Sequence, residues 1–256
     1  MIVWTTAFLD GPADGWAATL AHWQAVTAGT LSAFRGPDEE FVTVLPPTGD
    51  AFLRAQRTRS GPPGVHLDLH VPDVRAAADV AVALGAREVA ASGHVVVTSP
   101  GGMPFCFVRP GEHGHRPAPQ RWPAAAGVAP HTSLVDQYAI DVPADRWAAE
   151  AAFWPALTGW APRPAASGAT LVPLERPAGL PLRILLQRLD EPTGPVRAHL
   201  DVACDDRDAE TARHAALGAR VERVRVERVR ERWTVLVDPA GRRYCLTDRD
   251  PATGRG

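Results

Sequence analysis

The feature that most constrains this chain is that it is written twice. Trp23 in LAHWQAVTAGT (20–30) returns as Trp154 in AAFWPALTGW (151–160), and Gln56 in FLRAQR (52–57) returns as Gln187 in RILLQR (183–188). GVHLDLHV (64–71) is echoed by VRAHLDVA (196–203), VALGAREV (82–89) by AALGARVE (215–222), and SPGGMPFCF (99–107) by DPAGRRYCL (238–246). The five pairs keep their order. Their spacing is 131 to 133 residues until the last, which is 139, and the extra six residues fall in VERVRVERVRERW. Any fold for this chain must therefore be built from two copies of one unit.

Each copy reads as strand, helix, strands, then strand, helix, strands. WAATLAHWQAV places Trp16, Leu20, Trp23 and Val26 at helical spacing. GVHLDLHV alternates with period two: Val65, Leu67, Leu69 and Val71 share one face, and His66, Asp68 and His70 share the other. Asp73 is placed to cap the helix VRAAADVAVALG, and Gly85 to end it. The second copy repeats this plan, with Pro155 leaving one helix boundary open. The result is two βαβββ modules per copy and an α+β fold class. The Pro/Gly-rich stretch between the copies reads as a linker over 111–132, separating domains at 1–110 and 133–250. Its histidines, His113, His115 and His131, lack ligand spacing on a regular element and read as solvated.

Composition excludes several classes. A formal charge of −2 gives no reason to expect nucleic acid or an acidic membrane surface. Three separated cysteines make no disulfide framework and fit a reducing, cytoplasmic setting. No apolar run approaches the roughly 18 residues of a membrane span, and the N-terminus lacks the pattern of a signal peptide. Glu222 to Arg232 alternates valine with charges of both signs, as an edge hairpin with a solvated face does.

The FW of AAFWPALTGW, the QR-ending fourth strand, VRAHLDVAC, the LGA helix end and WTVLVDPAGRRYC together resemble the vicinal oxygen chelate superfamily, the glyoxalase and bleomycin-resistance-like proteins. The resemblance covers nearly all of both copies. It implies two tandem glyoxalase-like barrels, each of two βαβββ modules, with helices on the convex side and a small molecule in a concave cup. The repeated histidine would then face the cup. Family members often pair barrels between chains; here the tandem supplies that pairing internally, so a monomer is expected, with a homodimer as the alternative.

Metal-dependent members of the superfamily take one ligand each from the first, fourth, fifth and eighth strands, typically His or Gln, Glu, His and Glu. By motif those positions fall here on Thr6, Gln56, His66 and Pro104, and on Gln137, Gln187, His199 and Arg243. Proline has no side-chain donor and arginine is a fixed cation, so the family's metal set looks dismantled in both copies and no cofactor is expected. A divalent ion held instead by Asp68 or Asp201 beside the histidine is the disfavoured alternative.

The candidate ligand-binding residues are therefore His66, Asp68, Gln56 and Cys106 in the first copy, and His199, Asp201, Gln187 and Arg243 in the second. Each has a blander reading: the histidines as hydrogen-bonded strand residues, the aspartates as rim carboxylates, the glutamines as barrel-rim residues, and Arg243 as paired within the sheet. Cys106 and Cys245 read first as small packing residues. Trp23, Phe153, Trp154 and Trp160 read as core. The expected function is binding of a small, largely apolar organic molecule without the family metal site, as in antibiotic sequestration or metabolite binding. The alternative is a lyase, isomerase or dioxygenase of the same superfamily, using a non-standard metal or metal-free acid–base chemistry at the histidines. A third reading is a structural or regulatory protein whose cups are filled by side chains.

Overall fold

A computed structural model describes residues 1–125, 127–163, 169–228 and 231–255. The first copy holds β1 (Trp4–Gly11), α1 (Trp16–Thr27), β2 (Thr30–Leu31), β3 (Phe41–Leu45) and β4 (Leu53–Arg57). It continues with β5 (Gly64–His70), α2 (Val74–Ala83), β6 (Arg87–Ala91), β7 (Val95–Thr98) and β8 (Pro104–Val108). A short β9 (Gln120–Trp122) leads into the second copy: β10 (His131–Val142), α3 (Trp147–Thr158), β11 (Leu171–Pro173) and β12 (Arg183–Arg188). Then come β13 (Arg197–Cys204), α4 (Arg207–Ala216), β14 (Arg220–Arg228), β15 (Glu231–Val237) and β16 (Arg243–Asp248). One sheet runs β2-β3-β4-β1-β5-β8-β7-β6, and the other β11-β12-β10-β13-β16-β15-β14 with β9 paired to β10. This is the duplicated α+β architecture that the repeat demanded.

Local chemistry explains the repeated elements. Asp73 accepts a hydrogen bond from the Ala76 amide, and Asp206 does the same for Ala209, so both second helices start at a capped aspartate. Both are followed by a glycine at positive φ, Gly85 at 102° and Gly218 at 90°, which turns the chain into the next strand. α3 runs through Pro155 without ending. Phe153 and Trp154 are buried on that turn, and their burial offsets the backbone hydrogen bond that proline removes.

By backbone contacts the chain divides into two compact units, and each draws on both copies. The first comprises Met1–Phe8, His66–His115 and Tyr138–Ala198. Within it, α3 of the second copy packs on β8 of the first: Phe105 lies 5.0 Å from Trp154 and 6.1 Å from Phe153, ring centre to ring centre. The Trp154 indole donates to Glu150 Oε2 at 2.7 Å, and Glu150 Oε1 accepts the Gly101 amide at 2.6 Å. Trp154 is fully buried, and burying a large apolar side chain contributes roughly 1.5–3 kcal/mol.

The second unit comprises Leu9–Val65, Arg116–Gln137 and His199–Gly256. Here the equivalent helix of the first copy, α1, packs on β16 of the second. Trp23 lies 5.2 Å from Tyr244, and its indole donates to Asp238 Oδ2 at 2.9 Å. Arg242 donates to the same carboxylate at 2.7 Å and to the carbonyls of Asp10 and Gly64 at 2.6 and 2.9 Å. The two tryptophans 131 residues apart thus make the same contact, each on a strand of the opposite copy.

Two expectations for the middle of the chain need correction. The stretch read as a linker contains β9, paired antiparallel with β10 so that Trp122 faces His131; Ala126 lies outside the described residues. His131 is buried rather than solvated, with Nε2 2.7 Å from Glu210 Oε2. His113 stacks 5.4 Å from Trp4 and meets His70 edge-on at 5.3 Å. The reason is that β10 starts earlier than the alternation around YAIDV implied, carrying His131 onto the sheet. The expected charged hairpin is present as β14 and β15, with β14 at the sheet end; residues 229–230 fall outside the described residues. Among the described residues no helix is long and apolar enough to cross a membrane.

Candidate functional site

Alternation along β5 buries Leu67 and Leu69 completely on one face and turns His66 and Asp68 to the other. β5 pairs in parallel with β8, in a register that sets Asp68 beside Cys106. The second copy repeats this to the residue: β13 pairs in parallel with β16, with Asp201 beside Cys245. Period two within a strand and parallel register between strands therefore bring three chemically distinct side chains together in each copy. The ligating atoms of His66, Asp68 and Cys106 lie within 4.8 Å of one another, as do those of His199, Asp201 and Cys245.

The two clusters are not identical. His66 Nε2 is 3.7 Å from Asp68 Oδ1, and its ring stacks 4.6 Å from Phe8 at 10°. His199 Nε2 comes to 3.2 Å from Asp201 Oδ1, and His199, Asp201 and Cys245 are all buried. Gln137 Nε2 donates to Asp201 Oδ2. In the first copy Thr6 occupies the corresponding place on β1, with Oγ1 2.9 Å from His70 Nε2. Close by in sequence, Asp136 binds Arg249 through two 2.7 Å bonds, which matches that buried guanidinium.

The remaining candidates sit as follows. Gln56 is half-buried on β4 opposite Phe41, and Gln187 is half-buried on β12 opposite Leu171. The Arg243 side chain is 65% exposed and binds Glu222 on β14 at 2.7 and 2.8 Å, the sheet-internal pairing weighed for it above. A shallow hollow open to solvent is lined by residues including Val26, Phe52, Pro117, Gln120 and Val202 and holds none of the candidates.

A model of the glyoxalase-like domain matches residues 6–108 and again 137–247, one segment in each copy. The chain belongs to the glyoxalase-like domain family. Among curated protein sequences none matches it significantly. Among solved structures it is similar to a xylose isomerase-like TIM barrel/4-hydroxyphenylpyruvate dioxygenase fusion protein (TM-score 0.58, 15% identity), covering 93% of this chain but 47% of that one. It is similar to a mutant of 4-hydroxymandelate synthase from Streptomyces coelicolor (TM-score 0.61, 17% identity, 98% of this chain and 93% of that one). It is also similar to a variant of homoprotocatechuate 2,3-dioxygenase from B. fuscum (TM-score 0.62, 17% identity, 97% and 71%). At these identities the likeness establishes the fold.

The residues at the superfamily's metal positions do not fit its ligand set. Pro104 on β8 has no donor, and the Arg243 guanidinium is a fixed cation paired with Glu222. Thr6 Oγ1 is engaged with His70, and Gln137 with Asp201. No carboxylate stands at any of the eight positions.

Sequence reasoning named the histidines, aspartates and Cys106 but read the cysteines as packing. The signal that groups them is the repeat itself, since Cys106 and Cys245 recur with the His-Leu-Asp motif. It missed a second buried polar group, in the second unit, around Tyr244. His22 Nε2 is 3.2 Å from the Tyr244 hydroxyl, His214 Nδ1 is 2.8 Å from it, and Glu210 receives Arg213 and His131. Burial pushes the His22 imidazole down to about 4, with the neighbouring His214 adding to the effect. Burial alone would raise the Glu210 carboxyl; hydrogen bonds from Arg213 and His214 outweigh it and hold the group well below the usual range.

Proposed function

We propose that this chain binds a small, largely apolar organic molecule beside the His-Asp-Cys clusters, one in each copy, without the superfamily's four-ligand metal set. One observation carries the reading: the same three polar side chains converge in both copies, on strands whose opposite face is fully apolar. Sites for small molecules have this make-up, apolar walls with a few convergent polar groups that fix orientation. Imidazole offers a donor or an acceptor, carboxylate an acceptor, and together they would hold a hydroxyl or phenol of the ligand.

A second reading, a ring-cleaving or hydroxylating oxygenase or another enzyme of the superfamily, is favoured by the buried imidazole of His199 standing 3.2 Å from the Asp201 carboxylate, two groups of the kinds that acid–base chemistry uses. The likeness to proteins named as dioxygenases supplies the substrate classes to try: catechols and 4-hydroxyphenyl carboxylic acids.

The test is a thermal-shift and calorimetric screen of the full chain against catechols, 4-hydroxyphenyl acids and apolar antibiotics, with oxygen uptake followed alongside. Binding is expected to saturate and to weaken at least tenfold in His199→Ala. Saturable binding indifferent to both His66→Ala and His199→Ala would overturn the placement. Turnover of a hit would move the enzyme reading ahead.

A further inference from the structure

We propose that His199, Asp201 and Cys245 form a three-ligand site for a borderline divalent cation of the zinc class, and that the first-copy cluster is its weaker twin. The site is displaced from the superfamily's metal positions: it keeps the fifth-strand histidine, but its other ligands lie one residue pair further along β13 and β16. The inference deepens the reading above and fails separately from it, because metal binding is measured with no organic ligand present.

Three observations carry it. The donor set is chemically complementary to such an ion: an imidazole, a carboxylate and a thiol, which on binding would release its proton to solvent and act as thiolate. The spacing is also right. Tetrahedral zinc with bonds of about 2.0–2.3 Å places neighbouring ligand atoms roughly 3.3–3.8 Å apart. His199 Nε2 and Asp201 Oδ1 are 3.2 Å apart, and all three ligating atoms fall within 4.8 Å.

The third observation is the state of Asp201. Its side chain is 4% exposed, and its Oδ1 has no hydrogen-bond partner although the imidazole nitrogen is so near. An uncompensated buried carboxylate oxygen is costly. The other oxygen, Oδ2, is held by Gln137. Gln137 is thus a positioning residue for the carboxylate, the role that outer partners play at metal sites. Arg249, the buried cation that would otherwise neutralise Asp201, is already matched by Asp136.

The same criteria rank the first cluster lower. Its histidine and aspartate are 3.7 Å apart, His66 is only half-buried and its ring is stacked on Phe8. Three protein ligands leave a fourth position of a tetrahedral ion for water or for an oxygen of the small molecule.

The experiment is titration of the metal-free full chain with cobalt(II), reading the thiolate-to-cobalt charge-transfer band in the near ultraviolet, followed by displacement with zinc. One tight equivalent and one weaker equivalent are expected. Cys245→Ser should abolish the tight band, Cys106→Ser the weaker one, and Cys204→Ser, whose thiol bonds the Thr247 carbonyl at 3.4 Å, neither. Gln137→Ala should weaken the tight equivalent by roughly 10–100-fold. Circular dichroism checks that each variant folds, and His199→Gln stands in if Cys245→Ser does not. No band, or a band that survives both Cys245→Ser and His199→Gln, would overturn the proposal.

Discussion

Lowering the pH from 7 to 4 should destabilise this protein chiefly through histidines it buries in the neutral form, and His22 allows the effect to be sized. The residue is 3% exposed. Its Nδ1 lies 3.3 Å from the Leu217 carbonyl, which can only accept, so the ring proton is assigned there. Nε2 then carries the lone pair and faces the Tyr244 hydroxyl at 3.2 Å, which His214 Nδ1 also approaches, at 2.8 Å. A second proton would place a charge in this buried position next to His214, whose ring centre is 6.0 Å away. The imidazole accordingly titrates at about 4 in the folded chain against 6.5 when unfolded.

The sign follows from proton binding. Between pH 6.5 and about 4 the unfolded chain takes up a proton that the folded chain refuses, so stability falls as pH falls across that window. At about 1.4 kcal/mol per pH unit the whole window is worth about 3 kcal/mol. Urea unfolding followed by tryptophan fluorescence should show this loss in the native chain. In His22→Phe, stability at neutral pH drops by roughly 1–3 kcal/mol because Leu217 and Tyr244 lose a partner, but the further loss down to pH 4 shrinks by about 3 kcal/mol. His214, also pushed down by burial, contributes to both profiles. Parallel profiles for the native chain and the variant would refute the reasoning.

Gly101→Ala should cost roughly 1–3 kcal/mol, because a Cβ there would lie 2.5 Å from Val196 Cγ2 and 2.8 Å from Glu150 Oε1; Gly64→Ala, with nothing within 4 Å, is the matched control in the same urea unfolding. Arg243→Ala should change stability by less than about 1 kcal/mol, since its pair with Glu222 is exposed. It should leave the cobalt titration of the Cys245 site unchanged, and a lost band would tie Arg243 to that site.

Much of the molecule was legible because its signals are local. Period two along GVHLDLHV and VRAHLDVA assigned which side chains share a face, since successive residues of any strand point opposite ways. Asp73 and Gly85 marked a helix start and stop because capping is settled by a residue's own side chain and backbone. The five ordered repeats determined the duplication and, with it, two sheets of the same plan.

What only tertiary structure decided is non-local. The parallel registers of β5 with β8 and of β13 with β16 turned packing cysteines into members of a His-Asp-Cys cluster. The destination of Trp23 and Trp154 was likewise invisible. An apolar helical face must be covered, but its periodicity does not say by which copy, and in both compact units the answer is the opposite one. His131 shows the same limit: no spacing in the sequence announces that a strand will extend far enough to bury it against Glu210. Sequence sets what each segment can hide; the assembled sheets choose against what it is hidden.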